Sequence, residues 1–170
     1  MTYFTLAENE ILTAEGQRVT FDEMIDNINC HQTTLNVTQG KFACSLIYQV
    51  RCDLNCEGLP VTRLRLATGQ ELVVLKNSEV LTSSNEWVLA GDLSQGDGIK
   101  TLTYNPRVKH PQLTPSVIIE IESFIAPFIP VVSFESASDN LLLTVSSEND
   151  ISVLLPVRPI QEFASEPSVC

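Results

Sequence analysis

Short apolar runs separated by Gly, Pro, Asn and Ser dominate the chain. Leu64-Arg65-Leu66 continues Val61-Thr62-Arg63, and Glu71-Leu72-Val73-Val74-Leu75 follows the turn Thr68-Gly69-Gln70. Val117–Ile121, Ile129–Phe134, Asn140–Val145 and Ile151–Leu155 repeat the pattern. Short β-branched runs bounded by turn formers fit a pleated, half-buried surface, so the pattern predicts an all-β fold. Only Asp97-Gly98 offers the tight two-residue hairpin signal, so close hairpins should be few.

One helix is expected. Thr20-Phe21-Asp22-Glu23 reads as a capping box, with the Thr20 hydroxyl on a backbone N–H and Glu23 reaching back. Phe21, Met24, Ile25 and Ile28 then share one helical face, which predicts about two turns ending between Asn27 and Cys30. A second helical turn is expected at Ala90–Ser94.

The last stretch reads differently. Pro156, Pro159 and Pro167 remove ladder donors and favour an extended path, while Ile160 and Phe163 offer apolar anchors. The chain therefore divides into a β domain over residues 1–155 and a proline-rich C-terminal arm over residues 156–170. Pro156, Pro159, Ile160 and Phe163 are the expected interface residues of that arm against a neighbouring subunit.

Composition narrows the classes. Of 170 residues 44% are hydrophobic and 18% charged, which excludes a disordered chain. Lys plus Arg number 10 against 21 Asp plus Glu, a formal charge of −11. So acidic a chain repels phosphate backbones, and nucleic acid is not an expected partner. No run of about 18 apolar residues is present to span a membrane. Met1-Thr2-Tyr3-Phe4 lacks a basic region followed by an apolar run, so the expected location is the cytoplasm or a virion rather than secretion.

The five cysteines are Cys30, Cys44, Cys52, Cys56 and Cys170, an odd number that argues against a disulfide framework. Cys30 or His31 with Cys44, Cys52 and Cys56 would supply four zinc ligands, and the C-x3-C spacing of the last pair is permitted. Buried free thiols are the simpler reading. No cofactor is expected. Asp92 and Asp97 read as cap and turn carboxylates rather than metal ligands.

Three stretches carry a resemblance. Glu10-Ile11-Leu12-Thr13-Ala14-Glu15-Gly16 runs on to Val19-Thr20-Phe21-Asp22-Glu23-Met24. Leu66–Leu75 forms strand, turn and strand. Leu81-Thr82 is followed by Glu86-Trp87-Val88-Leu89-Ala90-Gly91-Asp92-Leu93-Ser94-Gln95-Gly96-Asp97-Gly98-Ile99. Over about residues 4–154 the chain resembles a Hint domain, the module of inteins and hedgehog-type autoprocessing proteins. The third stretch is similar to "L-T-x-x-G-x-W-x-x-A-x-D-L-x-x-G-D-x-I" and is the most specific part. The resemblance implies a Hint-like β fold, and a Trp87 buried deeply enough that truncation costs about 3–5 kcal/mol.

Autoprocessing requires a nucleophile that attacks its own preceding carbonyl and a histidine that protonates the leaving nitrogen. The resemblance puts the first residue at about Phe4, with Thr5 beside it. The histidine of T-x-x-H falls on Ser78 within Leu75-Lys76-Asn77-Ser78, and that of D-H-N-F falls on Asn140 within Asp139-Asn140-Leu141-Leu142. Phe4, Thr5, Leu75, Ser78 and Asn140 are thus degenerate positions, and no catalytic residue is expected. With three residues ahead of Phe4, no sizeable leading segment is expected to be released. His31 and His110 are the only histidines, and neither sits in a matching motif. There is no P-loop, G-x-S-x-G or H-E-x-x-H either.

The expectation is a Hint-like module that is not an enzyme. It would serve structure or assembly, as in a subunit of a phage or other virion, and bind itself or other protein subunits. Two alternatives stand beside it: an autoprocessing domain with Thr5 as an atypical nucleophile, and a cysteine-based zinc adaptor.

Overall fold

The computed structural model describes residues 2–25, 32–38, 41–53, 58–105, 107, 112–113, 115–148 and 151–161. In chain order the strands begin β1 (Thr2–Leu6), β2 (Glu10–Leu12) and β3 (Arg18–Thr20), followed by α1 (Phe21–Ile25), the single α-helix among the described residues. Next come β4 (Gln32–Thr38), β5 (Lys41–Asp53), β6 (Leu59–Leu66), β7 (Glu71–Leu75), β8 (Glu79–Leu81) and β9 (Trp87–Leu89). A 3₁₀ turn (Ala90–Asp92) precedes β10 (Gly98–Ile99), β11 (Leu102–Tyr104), β12 (Gln112–Leu113) and β13 (Ser116–Ala126). β14 (Val131–Ser136), β15 (Leu141–Glu148) and β16 (Ile151–Arg158) close the set. The fold is all-β, as the alternation requires. No helix among the described residues is long and apolar enough to cross a membrane.

Three antiparallel sheets share the strands. One has the order β1-β14-β5-β4 and a second β10-β13-β6-β7. The largest runs β12-β11-β16-β15-β2-β3, with β8 attached to β16 and β9 to β8. Their inward faces meet in a main core that includes Phe21, Ile47, Leu64, Leu66, Ile118, Phe134 and Leu143. Phe134 stacks on both Phe21 and Tyr3, with ring centroids 5.0 and 5.7 Å away. A smaller cluster gathers Leu6, Val61, Leu75, Ala126 and Val131. β6 serves both cores from opposite faces, Leu64 and Leu66 in one and Val61 in the other.

The capping box forms as the residues demand. The Glu23 N–H donates to Thr20 Oγ1 at 3.1 Å, and the Thr20 N–H donates to Glu23 Oε1 at 3.2 Å. The described helix covers Phe21–Ile25; the expected continuation towards Cys30 lies outside the described residues. The turn at Ala90–Asp92 meets its expectation, and the Ser94 N–H donates to Asp97 Oδ2 at 2.8 Å, the turn role foreseen for that carboxylate.

Two expectations are corrected. Pro156 does not end the sheet: β16 passes through it to Arg158, with Pro156 in register opposite Leu142. On the other side of β16, β11 pairs with residues 152–154 and β8 with residues 157–158. The missing donor falls in the seam between those partners, where no ladder bond needs it. Trp87, expected in the core, is half-buried at the surface, with the Arg158 guanidinium 4.5 Å above its ring.

Candidate functional site

The sheets bring neighbours of the separated motif positions together around one cleft. Tyr3, Asn77, Glu79, Asp139, Arg158, Pro159, Ile160 and Gln161 line a cavity of about 420 Å³. Tyr3 precedes Phe4, Asn77 and Glu79 flank Ser78, and Asp139 precedes Asn140. Four stretches far apart in sequence thus meet at one place, while Phe4, Thr5, Leu75, Ser78 and Asn140 themselves are not among the lining residues.

Thr5, two positions from the cleft residue Tyr3, is surrounded by uncharged groups. Thr5 and Asn9 are buried, and the Thr5 hydroxyl donates to Asn9 Oδ1 at 2.8 Å. Asn9 Nδ2 in turn donates to the Val73 carbonyl at 2.9 Å, which fixes the amide with its oxygen towards Thr5. The turn after β1 holds this arrangement, through the Asn9 N–H on the Leu6 carbonyl and the Ala7 N–H on the Pro130 carbonyl. Phe4 pairs with Ser133 of β14 on one side and forms an antiparallel bridge with Ile160 on the other, its N–H donating to the Ile160 carbonyl at 2.9 Å.

The cleft itself carries the charge. Arg158 lies 3.9 Å from Glu79 and 3.6 Å from Asp139, too far for a hydrogen bond to either. Its Nε is buried without a hydrogen-bond partner among the described residues. Asn140 donates from Nδ2 to Asp139 Oδ1 at 2.8 Å. Burial pushes the Tyr3 phenol above its ordinary range; the hydrogen bond with Gln161 opposes this, and the Asp139 and Glu135 charges add to it.

No sequence family matches the chain, and no curated protein does. Solved structures do. The DnaB intein of Synechocystis sp. shares 18% identity at a TM-score of 0.61, over 89% of this chain and 98% of that one. An intein from a hyperthermophile shares 14% at a TM-score of 0.65, over 91% and 99%. The DnaX mini intein of Spirulina platensis shares 12% at 0.62, over 89% and 98%. The chain has the Hint fold. Identity at this level carries the fold and not the residues.

The expectation that the chain is not an enzyme does not stand. The solved structures sharing this Hint fold are inteins, self-splicing domains, so the fold is one that carries autoproteolysis rather than one that excludes it.

The remaining expected positions divide as follows. Ser78 is buried and bonds through its backbone to Leu75 and Ala90. Leu75 is a core residue of the smaller cluster. Pro156 and Pro159 are buried and Ile160 packs on the smaller core, so these three lie within the chain's own fold rather than on a free arm. Phe163 lies outside the described residues, as do His31, His110, Cys30 and Cys56. Cys44 and Cys52 are exposed on one strand, outside any disulfide and eight positions apart; at about 3.3 Å per residue that span is several times what one ion bridges. Sequence reasoning missed Asn9 and Arg158. Asn9 stood one residue before a quoted motif; Arg158 sat in a stretch assigned to an arm.

Proposed function

We propose that the chain is an autoprocessing Hint-fold domain whose reacting bond is Phe4–Thr5. The observation that carries this reading is the buried Thr5 hydroxyl, held on Asn9 Oδ1 at 2.8 Å. In the step, Thr5 Oγ1 attacks the Phe4 carbonyl carbon and the C–N bond breaks. The hydroxyl proton ends on the freed Thr5 nitrogen, so an amide becomes an ester. Water then releases a Phe4 carboxylate. Asn9 orients the hydroxyl; an amide oxygen is too weak a base to remove its proton. Ser78 stands at the position where the resemblance calls for a histidine, and a hydroxyl does not protonate a leaving amine near neutral pH. A missing general acid costs about 10²–10⁴-fold, so the reaction should take hours rather than minutes. The expected virion or assembly role draws no support from the fold or from the proteins that share it.

The test fuses a reporter domain ahead of Met1 and follows intact mass for a day, with hydroxylamine to trap the ester. Cleavage between Phe4 and Thr5 that disappears in Thr5→Ala supports the reading. No cleavage in either protein refutes it. Equal cleavage in both removes Thr5 as nucleophile.

A further inference from the structure

When Thr5 Oγ1 adds to the Phe4 carbonyl carbon, an electron pair moves onto the Phe4 oxygen. An N–H group held against that oxygen in advance lowers the barrier, because it meets the charge as it forms. No charged side chain is required for this; a backbone N–H in the right place serves.

The backbone of β1 fixes where the Phe4 oxygen points. The Phe4 N–H donates to the Ile160 carbonyl at 2.9 Å, and the two residues form an antiparallel bridge. In an extended strand the N–H and C=O of one residue leave on the same side, so the Phe4 carbonyl also turns towards Ile160. A directly bonded antiparallel pair is the kind in which each N–H faces the other residue's carbonyl. The Ile160 N–H is therefore directed at the Phe4 oxygen. Across the planar trans peptide, the Thr5 N–H points the opposite way, towards β14, where Thr5 stands in register with Val132. The two halves of the reacting bond are held from opposite sides.

Ile160 is anchored before, at and after its own position. Val157 and Arg158 are in register with Val80 and Glu79 of β8. Pro159 is buried, restricts its own φ and has no N–H, so the first donor after Arg158 is that of Ile160. The Ile160 side chain packs with that of Phe4 on the smaller core, and Gln161 hydrogen-bonds the Tyr3 phenol. A donor fixed in this way needs little reorganisation when charge develops beside it.

We propose, on the reading that Phe4–Thr5 is the reacting bond, that the Ile160 backbone N–H is the oxyanion donor of the reaction. It bonds the Phe4 oxygen as Thr5 Oγ1 adds. The electron pair returns to carbon as the C–N bond breaks, leaving the ester and the protonated Thr5 nitrogen. The end of β16 thereby acts on a bond at the start of β1. No side-chain motif marks such a donor, because every residue except proline carries it.

The test assembles the full reporter-fused chain by ligating a synthetic C-terminal peptide, and follows cleavage by intact mass. The α-hydroxy analogue of isoleucine at 160 replaces that N–H by oxygen and keeps the side chain and the carbonyl. Cleavage should slow by about 10²–10³-fold, the effect of losing one oxyanion donor. The α-hydroxy analogue of glutamine at 161 weakens the Ile160 carbonyl as an acceptor and keeps the donor; it controls for lost backbone bonding and should slow cleavage far less. An unchanged rate with the 160 ester overturns the proposal and leaves Phe4–Thr5 as the reacting bond. Equal slowing by both esters also overturns it and makes Ile160 a structural strap. An all-amide chain that never cleaves refutes the reacting bond, and the donor's role falls with it. A Thr5→Ala chain, which cannot react, reads the pairing separately: an amide–amide NOE between Phe4 and Ile160 is expected, and its absence overturns the proposal whatever the cleavage shows.

Discussion

The buried Thr5–Asn9 group and the cleft beside Arg158 are built on opposite principles. Around Thr5 the groups are buried, uncharged and mutually satisfied: hydroxyl on amide oxygen at 2.8 Å, amide nitrogen on carbonyl at 2.9 Å. Around Arg158 the groups are charged and loosely held, with both carboxylates beyond hydrogen-bond distance and Nε unsatisfied. Precise geometry therefore lies where nothing titrates near neutrality, and the charge lies where geometry is slack. A nucleophile so placed is well oriented and poorly activated, which is why the proposed reaction is slow.

The largest test of this contrast removes what the ordered side rests on. Phe134→Ala takes away the ring beneath Tyr3 and Phe21 and should cost about 3–5 kcal/mol in a urea titration. Asn9→Ala comes next, at about 1–3 kcal/mol, because it strands both the Thr5 hydroxyl and the Val73 carbonyl in a buried setting. Arg158→Gln should cost about 1 kcal/mol or less, since its ion pairs are long and partly solvated and its contact with Trp87 is at the surface. If Arg158→Gln proved costlier than Asn9→Ala, the contrast would be reversed. The corrected position of Trp87 likewise brings Trp87→Ala below the value expected of a core tryptophan.

Tyr3, which lines the cleft, gives the smallest effect. Its folded-state pKa is raised, so the neutral phenol is favoured by folding. The contribution is fully present below the ordinary tyrosine pKa of about 10 and is lost as pH rises through the raised value. Tyr3→Phe should therefore lose less stability than wild type at strongly alkaline pH, and show no pH-dependent difference near neutrality. Denaturation midpoints across that window measure it.

What could be read in the sequence follows the same divide between local and non-local causes. The capping box of Thr20 and Glu23 is settled within four residues, and the structure forms it bond for bond. The strings around Ser78 and Asn140 keep their spacing, and their neighbours Asn77, Glu79 and Asp139 line the cleft. β5 could not. Its inward positions include Ser45, buried against the Ser136 hydroxyl at 3.2 Å, while Leu46 faces out, so the apolar alternation is inverted. Gln49 then takes φ +52° where the register against β14 slips, which breaks the period again. Pro156 misled for a related reason: a proline says that one donor is missing, and only the tertiary partners decide whether any acceptor was waiting for it.

The bridge between Phe4 and Ile160 has a mechanical consequence. Antiparallel neighbours lie about 5 Å apart, so Phe4 and Ile160 sit side by side although more than 150 residues of chain run between them. A load applied across those two points falls first on the one bond from the Phe4 N–H to the Ile160 carbonyl. The same closeness makes everything between them a very short detour, two points of the chain being separated by the width of one strand spacing.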